Sequence, residues 1–142
     1  MDNIEIRDIS GDEIVNSYYL ITQSYLDLTK EEYAITVKEM MELSNFKMIG
    51  AFVDKKIIGI SGYVISRMFY CAKFLRISNL IIDKEYRNKR IGTKMIYFLE
   101  EKARNNNCKH VILDSFIGNK KSHSLYFRED FFIRGFHFMK EL

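Results

Sequence analysis

The stretch Leu80–Glu101, LIIDKEYRNKRIGTKMIYFLEE, decides how this chain folds. It opens on an apolar run, Leu80–Ile82, crosses a segment dense in cations, and reaches a glycine at 92. From there Ile91, Met95, Leu99 and Ala103 recur at helical spacing while Lys94, Glu101 and Arg104 fall elsewhere, so 92–104 reads as an amphipathic helix. Asn105, Asn106 and Asn107 follow, a residue type that tolerates the left-handed turn ending a helix. Val111–Ser115 then reads as a second strand. Strand, helix and strand in this length require a parallel pair joined by a right-handed crossover.

Working outward, Phe46–Val53 and Ile57–Phe69 flank the polar triplet Asp54, Lys55 and Lys56, which predicts an antiparallel hairpin. A reversal near Tyr70–Lys73 leads into Phe74–Ile82, making a three-strand meander. Upstream, Asn3–Asp8 alternates and reads as a first strand. Ser10 and Glu13 have capping-box spacing ahead of the stripe Ile14, Tyr18, Ile21, Tyr25. Thr29 and Glu32 repeat that spacing ahead of Tyr33, Val37 and Met40, in a helix ending near Leu43–Asn45. Downstream, a short helix near Ser122–Glu129 and a last strand, Phe132–Lys140, close the chain. No linker interrupts the pattern, so residues 1–142 read as one domain of mixed α/β class.

Composition narrows the function classes. The apolar runs, such as Ile57–Ile65, are too short to cross a bilayer and are broken by Gly59 and Gly62. The opening MDNIEIRDISGDE reads as too acidic and polar for a leader. Cys71 and Cys108 lie far apart without metal-ligand spacing, which predicts a reduced, cytoplasmic protein. His110, His123 and His137 are scattered without ligand spacing either, so no metal site is expected. The net charge of +3 conceals an asymmetry. Residues 1–56 carry 11 acids against 6 bases, and residues 57–142 carry 8 acids against 16 bases. An acidic half and a basic half can offer two oppositely charged partners separate places to bind.

Arg87–Gly92, RNKRIG, lies between a buried strand and the first turn of a helix. The opening N–H groups of a helix have no partner inside it, and the helix dipole adds positive charge there. Gly92 admits close approach of a ligand, and Arg87, Lys89 and Arg90 add full charges. That combination suits a phosphate or pyrophosphate.

Strand, RNKRIG and helix together resemble the acetyl-CoA signature of the GNAT (Gcn5-related N-acetyltransferase) superfamily, Arg/Gln-x-x-Gly-x-Gly/Ala. Arg87 takes its first position, Arg90 its first glycine and Gly92 its last. Lys84 stands where many members have proline. Downstream, NKKSHSLYFREDF, Asn119–Phe131, is similar to the family's Asn-x-x-Ala-x-x-x-Tyr…Gly-Phe pattern. There Ser122 replaces the alanine, Tyr126 falls on the tyrosine and Asp130 replaces the glycine. Seven residues make almost two helical turns, so Asn119 and Tyr126 should point the same way. The resemblance extends over essentially the whole chain. It implies a mostly antiparallel mixed sheet of six to seven strands with about four helices and a splayed parallel pair at its centre.

The resemblance further implies transfer of an acetyl group from acetyl-CoA to an amine on a small molecule or peptide. The backbone of Arg87, Asn88, Lys89, Arg90, Ile91, Gly92 and Thr93 would hold the pyrophosphate. Leu80, Ile81 and Ile82 would pair with the pantetheine arm, and Asn119 would bond it from the other side. A backbone N–H near Ile81 or Ile82 would face the thioester oxygen. Tyr126, a phenol with a pKa near ~10, would protonate the leaving thiolate. The base that deprotonates the amine stays open among Asp114, Glu129 and a water chain; Arg76 occupies the fourth-strand position where histone-acetylating members carry glutamate. Asp27, Glu31, Glu32, Glu39 and Glu42, with Tyr18, Tyr19, Tyr25 and Tyr33, would suit a cationic acceptor such as a polyamine or aminosugar. The same residues also fit a solvated helix surface over a tyrosine core. A homodimer is compatible with this reading. Two rival readings are an acyl-CoA sensor without turnover and a basic nucleic-acid binder using KEYRNKR, 84–90.

Overall fold

A computed structural model describes residues 3–142. In chain order the elements are β1 (Glu5–Ile9), α1 (Asp12–Asn16), α2 (Tyr18–Ile21), α3 (Lys30–Ser44), β2 (Lys47–Val53), β3 (Lys56–Met68) and β4 (Ala72–Ile82). A 3-10 turn (Lys84–Tyr86), α4 (Ile91–Asn105), β5 (His110–Leu113) and α5 (Lys120–Arg128) complete the fold. The sheet order is β1-β2-β3-β4-β5, antiparallel except for the parallel pair β4–β5. Five strands form among the described residues, fewer than the six to seven expected. The missing one is the closing strand: Phe132–Lys140 forms no ladder.

Helices cover both faces of the sheet. Under α1–α3 lie Ile14, Leu20, Ile21, Tyr33 and Val37, against Met48, Phe52, Ile60 and Ile81. Under α4 lie Ile91, Met95, Ile96, Leu99 and Ala103, against Ile49, Ile58, Leu75 and Ile77. Neighbouring residues of one strand serve opposite faces, as Met48 and Ile49 do. β2 and β3 therefore read as near-continuous apolar runs, being buried on both sides. The apolar stripe read from 91 to 103 is the face that α4 buries.

Local signals account for most boundaries. Thr29 and Glu32 make the predicted capping box, with Glu32 N donating to Thr29 Oγ1 at 3.1 Å and Thr29 N to Glu32 Oε2 at 2.9 Å. Asn45 ends α3 in the left-handed region, at φ 53°. Asp54 and Lys55 turn the β2–β3 hairpin with φ of 49° and 68°, the hand that matches strand twist in a two-residue loop. Ser10 and Glu13 make only half of their box. The Glu13 carboxylate accepts from the Ser10 backbone as well as from Arg7 (Nη2 to Oε2, 2.6 Å), while Gly11 caps α1 without a side-chain bond. The stripe read as one helix is two short ones, because the buried Ser17 interrupts it. Its hydroxyl donates to Ile14 O at 2.6 Å and meets Tyr33 Oη at 3.0 Å.

Candidate active site

β4 and β5 part company halfway along β4. Their pairing runs from Phe74 with His110 to Ile77 with Leu113 and then stops, while β4 continues through Ser78–Ile82. Register against β3 slips at the same place, between Ile60 and Gly62, opposite Asn79 in the left-handed region at φ 52°. The bulge bends β4 away from β5 and leaves an open backbone edge. N–H groups of neighbouring residues in an extended strand point to opposite edges. Asp83 N donates to Ile58 O on β3 at 2.8 Å. Counting back, Ile82 and Leu80 turn their N–H groups to the open edge and Ile81 turns its own toward β3. Of the two residues read as facing the thioester, only Ile82 has that orientation. Ile81 is buried in the cluster beneath α1–α3.

The cationic loop begins where that edge ends. Asp83, itself buried, caps the 3-10 turn by accepting from Glu85 N at 3.0 Å. Arg87 Nε donates to Ile82 O at 3.1 Å and its Nη2 reaches Gln23 Oε1 at 3.5 Å. Gln23 also accepts from Lys84 N at 3.1 Å. A proline at 84 would lack that N–H, so the departure from the family pattern is used structurally. Asn88 and Arg90 both take positive φ, 63° and 61°, with Lys89 between them at negative φ. Such alternation curls successive N–H groups toward one concave side, the form of an anion nest. Arg90 is the N-cap of α4 and has no side-chain cap of its own. The first bond back to its carbonyl comes from Lys94 N at 3.1 Å, so Ile91, Gly92 and Thr93 present N–H groups with no helical partner. The side chains of Arg87, Lys89 and Arg90 are exposed.

α5 is seated on the first turn of α4. A Cβ on Gly92 would stand 3.2 Å from Leu125 Cδ2, so the small residue serves helix contact as well as any ligand. Thr93 Oγ1 donates to Glu129 Oε1 at 3.2 Å, and Tyr97 also bonds that carboxylate. Glu129 is thus committed to the α4–α5 seam. Asn119 caps α5, its Oδ1 accepting from Ser122 N at 3.4 Å. Two turns on, Tyr126 packs with Leu80, Ile82, Leu113 and Leu125 onto the cluster of Ile91 and Met95, its ring edge-on to Phe131 at 5.8 Å. Burial pushes its phenol above the usual tyrosine range, and a side-chain hydrogen bond with Ser122 pulls back the other way. Asp130, in the family's glycine position, is left-handed at φ 66°.

Across the sheet, an apolar cavity of about 270 Å³ opens between α2, α3 and the bulge, lined among others by Tyr25, Tyr33, Met48, Gly62 and Asn79. Tyr25 Oη donates to Asn79 Oδ1 at 2.8 Å. A wider hollow of about 560 Å³ outside it is lined by Tyr25, Asp27 and Glu32 with Ser24, Leu26 and Leu28. Of the five carboxylates read as acceptor-facing, Asp27 and Glu32 line it, while Glu31, Glu39 and Glu42 are exposed elsewhere on α3. Tyr18 and Tyr19 spend their hydroxyls on the carbonyls of Leu28 and Ile57. Asp114 is exposed and meets His137 at 3.3 Å. Sequence reasoning missed Gln23, the Asn79 bulge and the Thr93–Glu129 bond. Each is a contact between distant segments, for which short spacing carries no signal.

No group of three or more metal-ligating side chains occurs among the described residues, nor any helix long and apolar enough to cross a membrane. Cys71 and Cys108 are free.

Comparison with known proteins gives the site its context. Residues 13–131 match the acetyltransferase (GNAT) family. Glucosamine 6-phosphate N-acetyltransferase of Arabidopsis thaliana is 26% identical over 98 residues, covering 66% of each chain, so the sequence match spans just under two thirds of that relative. Its crystal structure superposes with a TM-score of 0.73 at 20% identity, over 99% of both chains. AAC(6')-Iy, solved with the bisubstrate analogue CoA-S-monomethyl-acetylneamine, gives a TM-score of 0.82 at 14% identity, covering 98% of this chain and 99% of that one. A transcriptional regulator from Bacillus halodurans C-125 gives the same TM-score, identity and coverage.

Proposed function

Because the chain belongs to the acetyltransferase (GNAT) family, which uses acetyl-CoA, we propose that it is an enzyme moving the acetyl group of acetyl-CoA to a primary amine by direct attack. One observation carries the reading: an unpaired strand edge, Ser78–Ile82, leads directly into a left-handed cationic loop and the bare N-terminus of α4, with a phenol packed beside them. The residues fit the cosubstrate. A pyrophosphate matches the nest at Asn88–Arg90 and the free N–H groups of Ile91, Gly92 and Thr93. The amides of a pantetheine arm match Leu80 and Ile82, with Ile81 contributing packing only. Arg87 serves by holding the Ile82 carbonyl, which fixes the strand end against the loop. Asn119 keeps its side-chain NH₂ group for the arm while its oxygen caps α5.

Acetyl-CoA brings an acyl group activated as a thioester. The chain's own task is then to orient, polarise and move protons. Ile82 N–H donates toward the acyl oxygen, a fixed dipole that needs no rearrangement as charge grows there. As the amine nitrogen bonds the acyl carbon, the proton it sheds leaves through a water chain, since Glu129 is held at the α4–α5 seam and Asp114 lies beside His137. As the carbon–sulfur bond breaks, Tyr126 gives its proton to the departing sulfur. Its raised pKa keeps it protonated across the neutral range, which an acid requires. Ser122, one turn before it, orients the hydroxyl. The acceptor enters from the side of α2 and α3, where Asp27 and Glu32 at the mouth and the Tyr25 ring favour a cationic amine. AAC(6')-Iy and the plant enzyme, named for aminoglycoside and aminosugar substrates, are similar in fold and support an aminosugar-like acceptor. In this reading the protein works in the cytoplasm.

Incubating the protein with acetyl-CoA and a panel of polyamines, aminoglycosides, hexosamine phosphates and peptides, and following thiol release, tests the proposal. Turnover with at least one amine is expected. Saturable coenzyme A binding with no turnover on any amine would make the protein a sensor instead, and absence of coenzyme A binding would remove both readings.

A further inference from the structure

Glu129 carries a carboxyl group that the reaction does not use. It stands at the C-cap of α5, and its side chain is only 9% exposed. Thr93 Oγ1 donates to its Oε1 at 3.2 Å, and the Tyr97 hydroxyl bonds the same carboxylate. Thr93 and Tyr97 are four residues apart, so they stand one above the other on one face of α4 and grip a single residue of α5. Arg128 Nε is 3.9 Å from Oε1, too far for a hydrogen bond, and Glu100 adds like charge nearby. A carboxylate in such a place is harder to bury than a leucine of similar size. Its presence points to a task that packing alone would not perform.

On the acetyl-transfer reading, from which this step proceeds, we infer that Glu129 is a positioning residue. Through Thr93 and Tyr97 it ties the pyrophosphate cradle to the helix that carries Tyr126, so that binding the cosubstrate aims the phenol. Each joint is short. Thr93 N–H is one of the α4 amides without a helical partner, and the hydroxyl of the same residue holds Glu129. Glu129 N in turn donates to Tyr126 O at 3.2 Å and to Leu125 O at 3.0 Å, and Phe131 N donates to Tyr126 O at 2.9 Å. Beside these bonds the seam is apolar. Leu125 rests on Gly92, and Tyr126 packs against Phe131 and the cluster of Ile91 and Met95. Apolar contact has no direction, so on that surface alone a nine-residue helix could roll or slide. A roll of about 10° swings a tyrosine hydroxyl through roughly 1 Å or more, and a displacement of that size can cost a large factor in rate. Two hydroxyls on one carboxylate oppose both movements.

Glu129→Leu keeps the volume and removes both acceptors, while the half-exposed Tyr97 can turn its hydroxyl to water. Its Tm is expected at or above that of the wild type, with coenzyme A affinity within about twofold and kcat at least about tenfold lower. Glu129→Gln keeps an acceptor for Thr93 and should recover most of that loss. A folded Glu129→Leu with unchanged kcat overturns the inference, as does a loss that Gln leaves unrestored. Should Glu129→Leu not fold, Thr93→Val takes its place, since it keeps the cradle amide and loses only the hydroxyl. A second readout needs no turnover. On adding coenzyme A, hydrogen exchange at the Glu129 and Phe131 amides, both bonded to Tyr126 O, should slow at least about fivefold in the wild type and far less in Glu129→Leu. The Ile91–Thr93 amides should slow in both. Protection of α5 that survives the substitution, or that never arises in the wild type, overturns the tie even if the protein acetylates amines. A tie that is present in a protein acetylating no amine upholds the link from cradle to α5 and retires the acetyl-transfer reading. Absence of coenzyme A binding removes both.

Discussion

The two sides of the cleft are built on opposite plans. On the acceptor side, the segment from Ser17 to Tyr33 spends its polar groups inward: Tyr18, Tyr19, Tyr25 and Tyr33 each engage a specific partner, and Glu32 closes a capping box. On the cosubstrate side, Arg87–Thr93 keeps its backbone amides and most of its cations outward, in a loop with two left-handed non-glycine residues. The first is a packed wall whose chemistry rests on a few surface carboxylates. The second is a backbone cradle that keeps its donors open at a conformational cost. Substitutions on the second side should therefore cost far more than those on the first.

The largest effect belongs to Tyr126→Phe. Removing the acid should lower kcat by at least about a hundredfold while coenzyme A affinity stays within about twofold. Steady-state kinetics beside calorimetry separate the two. An equal loss in affinity would mean that the phenol only packs. The pH profile adds a sign: an acid with a raised pKa keeps its proton up to that pKa, so the wild-type alkaline limb attributable to Tyr126 should lie above about pH 10.

Arg87→Ala comes next. It releases Ile82 O and Gln23 together, so the open edge and the loop lose their common brace. Coenzyme A should bind about tenfold more weakly, as expected for loss of charge-assisted hydrogen bonds of about 1.5–3 kcal/mol less what water restores. Arg87→Lys should not restore it, because one ammonium cannot reach a strand carbonyl and a distant amide in the fork geometry of a guanidinium.

How much of this could be read beforehand follows the range of the forces. Helix α4, the β2–β3 hairpin and the Thr29 box were legible because each depends on residues within a few positions of one another. The Ser10 box closed only by half, because Gly11 rather than Ser10 caps α1 and Glu13 is shared with Arg7, and the long first helix failed because Ser17 bonds Tyr33, sixteen residues away. The closing strand was legible as composition but forms no ladder, since pairing depends on register against a distant strand, which spacing along the chain does not report. For the proposed site, the family pattern pointed to the loop and to Tyr126. It could not tell that the bulge at Asn79 makes the open edge, or that Ile81 faces the wrong way, since both depend on register across strands.

On the wall side, Asp27→Asn should raise KM for cationic acceptors by about threefold and leave kcat unchanged. Asp27 is exposed, and water screens most of its attraction for a cation. An acceptor without charge near that hollow should feel nothing. Running a cationic and a neutral amine in parallel checks this, and equal changes for both would assign the residue to structure.

The smallest change sharpens the comparison most. Arg90 stands where the family pattern has glycine, and its φ of 61° shows why glycine is favoured there: a Cβ in the left-handed region crowds the following carbonyl, at about 1 kcal/mol. Arg90→Gly removes that crowding but also loosens the unfolded chain, which offsets part of the gain. Tm should therefore rise by only a degree or two. Coenzyme A affinity is the sharper reading. If the cradle works through its amides, their geometry survives the substitution and affinity should change less than twofold at moderate salt. If the Arg90 guanidinium itself holds the phosphate, affinity should fall several-fold, with a weaker salt dependence. Titrations at two salt concentrations distinguish a backbone cradle from a cluster of side-chain charges.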